Sequence, residues 1–247
     1  MPKHIDMMRL REEEVFSLLE LISQNTQGFS NPKCITIGGY AIRAYIPFSR
    51  YTRDCDFVLK KTKKWQIDEI NRMLLGRIKT EIFEKKEKYG FLKMISIIQS
   101  GKTKIKVSLD FMEGQVRGRT GKQIVLIDEK FIDNSTLTKI QIAGKEIDIY
   151  VPDYTDYLIM KVVSGRPSDV RDIAALIWKN DVPKTLDIRL KEILPFPDIF
   201  FKNINEIVVP AISDKRFVNS WRGTFITTEF TEESKIEVLK KLTDIEV

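Results

Sequence analysis

The spacing of hydrophobic and polar positions predicts alternating helices and strands over the first part of the chain. Residues 8–24 place apolar side chains at helical spacing and predict an amphipathic helix. Two alternating runs, 91–99 and 103–111, flank Ser-Gly-Lys and predict a hairpin. The other predicted elements of this part are strands 34–37, 54–59, 124–127, 139–142 and 147–151 and helices 40–46 and 65–75.

The pattern changes near Val151-Pro152 and becomes helical. The predicted helices beyond this point are 154–164, 168–180, 186–194, 199–208 and 232–242. The change predicts an α+β domain over residues 1–152 and a helical domain over residues 153–247. The expected fold class is therefore α+β, with a mixed sheet and flanking helices followed by a mostly helical C-terminal domain.

Composition favours a soluble, cytoplasmic protein. The chain has 247 residues, of which 43% are hydrophobic and 31% charged. It has no apolar run near the roughly 20 residues that cross a bilayer, and its polar start, Met1–Arg11, is not typical of a secretory signal. The two cysteines, Cys34 and Cys55, form no CxxC pair, so a reduced compartment is expected.

The single histidine, His4, excludes several kinds of catalysis. A Ser-His-Asp or Cys-His mechanism has no credible base, and a zinc site has too few soft ligands. Any catalysis is therefore expected to use carboxylates, lysines and a hard cation such as Mg²⁺.

Positive charge is concentrated in the first part of the chain. Residues 1–152 carry 27 basic and 19 acidic side chains, whereas residues 153–247 carry 14 and 16. The segment 60–122 alone carries 17 basic and 7 acidic side chains. Such a segment attracts polyanions, including nucleotides and RNA. A lysine-rich solvated surface explains the same counts equally well.

The segment from Gly38 to Asp56 carries the most informative chemistry. A predicted strand ends in Gly38-Gly39, where glycine permits close approach of a ligand and the start of a helix favours a phosphate. Asp54 and Asp56 then alternate on one face of the next strand. Two neighbouring carboxylates repel each other unless a cation neutralises them, and Mg²⁺ prefers carboxylate and phosphate oxygens.

A third carboxylate, Asp110, lies on a later strand. Alternation places Lys106, Ser108 and Asp110 on one face of that strand and the apolar Val107, Leu109 and Phe111 on the other. With Asp54 and Asp56, Asp110 is expected to complete a two-metal site, as a metal ligand or as a base.

These residues resemble the nucleotidyltransferase superfamily that includes DNA polymerase β. Gly-Gly-Tyr-Ala at 38–41 and Arg-Tyr-Thr-Arg-Asp-Cys-Asp at 50–56 are similar to the GG-x-A and R-x-[ST]-x-D-x-D patterns of its minimal, AbiEii-type branch. The superfamily often has Gly-Ser where this chain has Gly38-Gly39, so a serine contact to phosphate is absent. The resemblance covers residues 34–60 and 104–176, and the segment 181–247 matches no family pattern.

The resemblance also assigns roles in the helical part. The family has a K…R-x-x-D-x-x-D pattern, which matches Lys161 and the segment 166–172. By this resemblance Lys161 contacts the triphosphate, Asp169 or Asp172 orients it or serves in catalysis, and Arg171 adds a phosphate contact. Asp172 paired with Arg171 on a helix surface is an alternative that the sequence leaves open.

Further basic and aromatic residues are candidates for binding. Arg50 and Arg53 are expected to contact the nucleotide as cations. The loop Gly118–Lys122 is only faintly similar to a P-loop, so Arg117, Arg119 and Lys122 are candidates for contacts to RNA instead. Trp221 and Phe225 could stack a base, but core packing is the favoured interpretation.

The resemblance implies a nucleotidyltransferase fold and activity. A nucleoside monophosphate would pass from an NTP, such as ATP, to an acceptor hydroxyl with Mg²⁺ or Mn²⁺ as cofactor. The basic segment favours RNA, such as a tRNA end, as acceptor, and AbiEii-type toxins imply a neutralising antitoxin as a partner. Transfer to a small molecule or protein hydroxyl, another metal-dependent phosphotransfer or hydrolysis, and a non-catalytic scaffold of the same fold remain alternatives.

Overall fold

The computed structural model describes residues 4–48 and 50–245 and divides into two compact units. Unit 1 contains residues 1–44, 51–116 and 127–152. Unit 2 contains residues 45–50, 117–126 and 153–247. Two short segments of the first 152 residues therefore belong with the helical part, and the sequence division at 152/153 stays a prediction about domains.

Seven strands of unit 1 form one mixed sheet. They are β1 (Ile35–Ile37), β2 (Asp54–Leu59), β3 (Lys79–Lys86), β4 (Tyr89–Ser100), β5 (Thr103–Glu113), β8 (Thr136–Ile142) and β9 (Lys145–Val151), and β6 (Gln115–Arg117) and β7 (Ile124–Leu126) form a separate two-stranded sheet. The order in the large sheet is β3-β4-β5-β2-β1-β9-β8. The pairs β2–β5 and β1–β9 are parallel, and the other pairs are antiparallel.

The helices of unit 1 are α1 (His4–Asn25), α2 (Gly38–Ala41), α3 (Gln66–Leu74) and α4 (Glu129–Asp133). The predicted helix 40–46 is shorter in the structure and begins earlier, because α2 starts at Gly38 and gives way to a 3₁₀ turn at Ile42–Ala44. The core of this unit includes stacked rings of Phe57 and Phe111, whose centroids lie 4.8 Å apart.

Strand β3 was not predicted from the sequence. Nearly all of its side chains are exposed, so it lacks the alternation of apolar and polar positions that reveals a half-buried strand. It pairs with β4 at the edge of the sheet and lengthens the predicted β4–β5 hairpin into a three-stranded antiparallel ribbon.

Unit 2 is mostly helical. Its helices are α5 (Tyr154–Ser164), α6 (Pro167–Asn180), α7 (Leu186–Ile193), α8 (Asp198–Asn203), α9 (Val209–Ser213), α10 (Phe217–Phe225) and α11 (Glu232–Thr243), with a π-helical stretch at Ile204–Val208. Helices α9 and α10 were not predicted. No described helix is long and apolar enough to span a membrane. The predicted fold class, a mixed sheet with flanking helices followed by a helical region, is confirmed.

Candidate active site

The parallel pairing of β2 with β5 brings the predicted carboxylates onto neighbouring strands. Asp56 is the register partner of Asp110, and Asp54 is the partner of Ser108. Directly paired residues project to the same side of a sheet, and residues two apart share a face. The three aspartates therefore occupy one face at the point where the two strands run side by side.

Neighbouring residues leave no space for a side chain at Gly38 or Gly39. Gly38 has φ of +70°, and a side chain there would collide with the Oδ2 atom of Asp56. A Cβ atom on Gly39 would lie 2.9 Å from the Cβ atom of Thr52. Both glycines thus allow the turn between β1 and α2 to lie against the beginning of the carboxylate strand. Their predicted contact with phosphate stays a prediction.

Asp110 is partly buried on its face of the sheet and has polar neighbours. Ser108 donates a hydrogen bond of 2.6 Å to its Oδ1 atom, and the ammonium of Lys93 lies 4.0 Å from Oδ2. Burial raises the pKa of Asp110, and the nearby charge of Asp54 raises it further, although Ser108 and Lys93 act in the opposite direction. Sequence reasoning missed Lys93, since only the register of β4 against β5 places it opposite Asp110.

The donors at this place fit a hard divalent cation by chemistry and position. Asp54, Asp56 and Asp110 supply carboxylate oxygens, which Mg²⁺ and Mn²⁺ accept. Gly38 lets the turn before α2 lie close to Asp56, whose Oδ2 atom occupies the space that a side chain at position 38 would fill. Among the described residues, no three His, Cys, Asp or Glu side chains are already gathered around one point. Binding of an ion would therefore require these carboxylates to turn toward it, and the metal site stays a prediction.

A second group of predicted residues comes together within unit 2. Lys161 on α5 donates hydrogen bonds of 2.9 Å to Asp169 and 2.7 Å to Asp172, both on α6. Arg50 holds Asp172 through two hydrogen bonds of 2.7 and 2.8 Å. Lys161, Asp169 and Asp172 are buried. These four residues, the buried ion-pair network, balance two positive and two negative charges.

Electrostatics favour the charged forms of Lys161 and Asp169 in this network. Burial alone would lower the pKa of Lys161, but Asp172, together with Tyr157 and Asp169, raises it above its ordinary value. Burial alone would raise the pKa of Asp169, but the charge and hydrogen bond of Lys161 lower it below 3.8. The interpretation of Asp172 as a surface partner of Arg171 is wrong, because Asp172 is fully buried and bonded to Arg50 and Lys161.

The remaining candidates divide between exposed and buried positions. Arg53 is exposed, as are Arg117, Arg119 and Lys122 at the hairpin of β6 and β7, and their predicted binding roles stay predictions. Trp221 and Phe225 are buried, so the core interpretation is confirmed for both. Arg171 donates a hydrogen bond of 3.2 Å to Ser220, and its predicted phosphate contact stays a prediction. Cys55, between the two aspartates, is buried in the core.

Comparison with solved structures concerns the fold of the chain. The crystal structure of JHP933 from Helicobacter pylori is similar in fold, with a TM-score of 0.51, 14% identity and coverage of 95% of this chain and 90% of that chain. A second H. pylori protein, provisionally described as a nucleotidyltransferase, has 15% identity, covers 96% of this chain and 97% of that chain, and has a TM-score of 0.44, too low to add to the argument. No curated protein matches the sequence significantly.

A family model gives the more direct assignment. It matches residues 13–206, which include β1 to β9 and both groups of candidate residues. The family is described as a nucleotidyltransferase of unknown function, without a defined substrate. The chain belongs to this family of nucleotidyltransferases of unknown function, DUF6036.

Proposed function

We propose that this protein is a metal-dependent nucleotidyltransferase that moves a nucleoside monophosphate from an NTP to an acceptor hydroxyl, with RNA as the favoured acceptor. The observation that carries the proposal is the register of β2 and β5, which sets Asp56 beside Asp110 with Asp54 on the same face. Family membership supports nucleotidyl transfer in general.

The proposed reaction is a displacement at the α-phosphorus. The acceptor oxygen forms a bond to that phosphorus, the bond to the departing β-phosphate oxygen breaks, and pyrophosphate leaves. Asp110 accepts the hydroxyl proton, since burial raises its pKa. Asp54 and Asp56 would hold Mg²⁺ or Mn²⁺, which when bound neutralises charge on the phosphates. Gly38 and Gly39 let the backbone turn lie close to the carboxylates, and a contact of this backbone with the nucleotide phosphates is part of the proposal.

For the buried ion-pair network we propose a positioning role. The ammonium of Lys161 is already shared between two carboxylates, so a triphosphate contact would require it to leave at least one of them. Breaking a buried ion pair costs about 3–5 kcal/mol. The proposed role of Lys161 and Asp172 is therefore to fix the positions of α5, α6 and Arg50 relative to one another.

The choice of RNA rests on charge. Residues 60–122 carry a strong excess of basic side chains, and this segment includes β5 with Asp110. A toxin role, with an antitoxin as partner, is supported only by the resemblance of the motifs to AbiEii-type proteins. Growth arrest on expression of the wild type, relieved by substitution of Asp54 and Asp56, would support the toxin role. Unimpaired growth under the same conditions would contradict it.

The reaction is tested with α-³²P-labelled NTPs, Mg²⁺ or Mn²⁺ and total tRNA, with products resolved on a denaturing gel. We expect the wild type to label RNA and release pyrophosphate. The Asp54→Asn/Asp56→Asn variant should lose activity yet stay folded, because removal of two facing carboxylates relieves repulsion. The control Asp133→Asn/Asp148→Asn makes the same charge change at exposed positions of unit 1 and should remain active.

Each other outcome points to a different function. Full activity in the Asp54→Asn/Asp56→Asn variant would rule out the proposed metal site. Pyrophosphate released without label on RNA, once cell extract is added, would indicate a small molecule or protein acceptor. Orthophosphate instead of pyrophosphate would indicate hydrolysis or another phosphotransfer. Absence of turnover with every NTP would leave a non-catalytic scaffold.

A further inference from the structure

The β4–β5 part of the sheet has one face covered by α3 and a second, partly exposed face, here named the open face, on which Ile97 is exposed and Ile95 is buried. At Gly90 a Cβ atom would lie 2.7 Å from Ile67 of α3 and 2.8 Å from Trp65, so α3 covers the face to which position 90 points. Phe91, Lys93 and Ile97 alternate with that position and project to the other face. This second face is the one that carries Asp110, since Lys93 pairs with Asp110 across the strands.

The open face next to Asp110 combines aromatic, apolar and basic side chains. We name these residues the open-face strip: Tyr89, Phe91, Lys93 and Ile97 of β4, and Lys104 and Lys106 of β5. Tyr89 and Phe91 form a stacked pair, with ring centroids 6.4 Å apart and planes 8° apart. Ile97 is 61% exposed, and the side chain of Lys106 is 55% exposed.

Two acidic residues counter the positive charge of the strip, Glu81 and Asp110, and the carboxylate of Asp110 lies 4.0 Å from the ammonium of Lys93. Glu81 on β3 lies 3.0 Å from the ammonium of Lys106 and 3.8 Å from that of Lys93. Against the three lysines of the strip, the carboxylates of Glu81 and Asp110 leave one net positive charge. Because the Glu81 side chain is 39% exposed, its ion pairs are screened by solvent and a phosphate can replace them at low cost.

The geometry points to a binding surface for the single-stranded end of the RNA acceptor. We propose that bases stack on Tyr89 and Phe91 while phosphates contact Lys93 and Lys106, which brings the terminal hydroxyl toward Asp110. Aromatic rings for bases, interleaved with cations for phosphates, are the usual means of binding single strands without sequence preference. This inference rests on the proposed function, because it takes Asp110 as the place where the hydroxyl reacts.

The test measures RNA binding separately from chemistry. A fluorescently labelled 12-nucleotide single-stranded RNA is titrated with the Asp54→Asn/Asp56→Asn protein, and anisotropy gives the Kd. Adding Phe91→Ala should weaken binding by about tenfold, the loss expected for one stacked base. The matched control is Phe83→Ala: Phe83 is 40% exposed but pairs with Leu92, whose side chain points to the covered face. This control should change the Kd by less than about twofold.

Charge gives two further expectations. Lys106→Gln should reduce the magnitude of the slope of the logarithm of the RNA association constant against the logarithm of the salt concentration by about 1. Lys85→Gln should leave the slope unchanged, because Lys85 pairs with Asp68 of α3 at the covered face. Glu81→Gln removes one competing carboxylate and should tighten binding several-fold, an effect that a purely structural role for these side chains does not predict.

The outcomes separate this inference from the proposed function. If the protein binds RNA but Phe91→Ala and Lys106→Gln both leave the affinity unchanged, the strip is not the binding surface, whereas the proposed nucleotidyl transfer is unaffected. Equal affinity for a duplex of the same sequence, or no RNA binding at all, would overturn it as well. If the strip variants change the Kd for RNA as expected but the wild type transfers no nucleotide, the proposed nucleotidyl transfer is refuted and the RNA-binding surface stands. If Phe91→Ala fails to fold, Phe91→Trp should preserve the affinity.

Discussion

Two features of the structure require glycine at position 38. Its backbone has φ of +70°, and Asp56 occupies the space that a side chain would fill. At Gly39 the demand is different, because only the proximity of Thr52 restricts the position. The Gly-Gly pair is therefore required by the carboxylate strand that faces it. A phosphate contact through the backbone of the two glycines would be an additional role.

Gly38→Ala tests the close approach of Asp56. The left-handed backbone should lower the free energy of unfolding of this variant by about 1–2 kcal/mol, because alanine disfavours that conformation. Displacement of Asp56 should also slow nucleotidyl transfer by at least about tenfold. Gly28→Ala is the matched control, because Gly28 has φ of +71° but nothing within 4 Å of a Cβ atom. Urea denaturation should show a similar backbone cost in both variants, whereas only Gly38→Ala should lose activity. Equal activity in the two would contradict the argument.

At the scale of elements, α5 and α6 are joined by charged side chains as well as by apolar packing. Lys161 on α5 reaches Asp169 and Asp172, which lie three positions apart on α6, and each of the three residues is buried. Buried charges of opposite sign must stay paired, since removal of one leaves the others desolvated. The two helices therefore have a fixed relative register.

The contribution of the Asp169 carboxylate to stability should depend on pH in the acid range. Its pKa lies below 3.8 in the folded protein, so its contribution is fully present above 3.8 and is lost as the pH falls through the lower folded value. Asp169→Asn should reduce the free energy of unfolding at neutral pH, and the deficit should shrink below pH 3.8. Urea denaturation over a pH series measures this. The exposed control Asp187→Asn should follow the wild type, and a deficit for Asp169→Asn that does not vary with pH would contradict the assignment.

For the molecule as a whole, the two compact units do not follow the order of the chain. Residues 45–50 and 117–126 interrupt the sheet-forming part in sequence yet belong with the helices of unit 2. Phe48 shows why, since its ring stacks on Trp178 with centroids 5.9 Å apart and planes 5° apart. The same ring meets the edge of Trp221 at 5.7 Å. The segment thus supplies part of the helical unit's aromatic core.

Phe48→Ala measures how far unit 2 depends on this segment. Loss of a buried phenylalanine costs about 3–5 kcal/mol, and tryptophan fluorescence during urea denaturation should report it because both neighbouring rings are tryptophans. Phe196→Ala is the control, since Phe196 is 44% exposed in the same unit. A loss in Phe48→Ala no larger than in the control would show that unit 2 is stable without the segment.

Local patterns predicted most elements and missed those whose pattern is weak. The alternation in β2 and β5 and the helical periodicity of α5 and α6 were read correctly, because one face of each is buried. Strand β3 has no buried face and was missed. The predicted helix 40–46 begins at Gly38 as α2 and gives way to a 3₁₀ turn at Ile42–Ala44.

The sequence by itself determined the fold class, the positions of Gly38, Gly39, Asp54 and Asp56, and the face of β5 on which Asp110 lies, since each follows from local spacing. Only the tertiary structure decided that Asp110 is opposite Asp56 and Lys93, because strand register joins residues far apart in the chain. The same holds for Arg50, whose guanidinium reaches Asp172 across 122 positions. Local periodicity fixes which way a side chain points, whereas the choice of its partner depends on how distant segments pack.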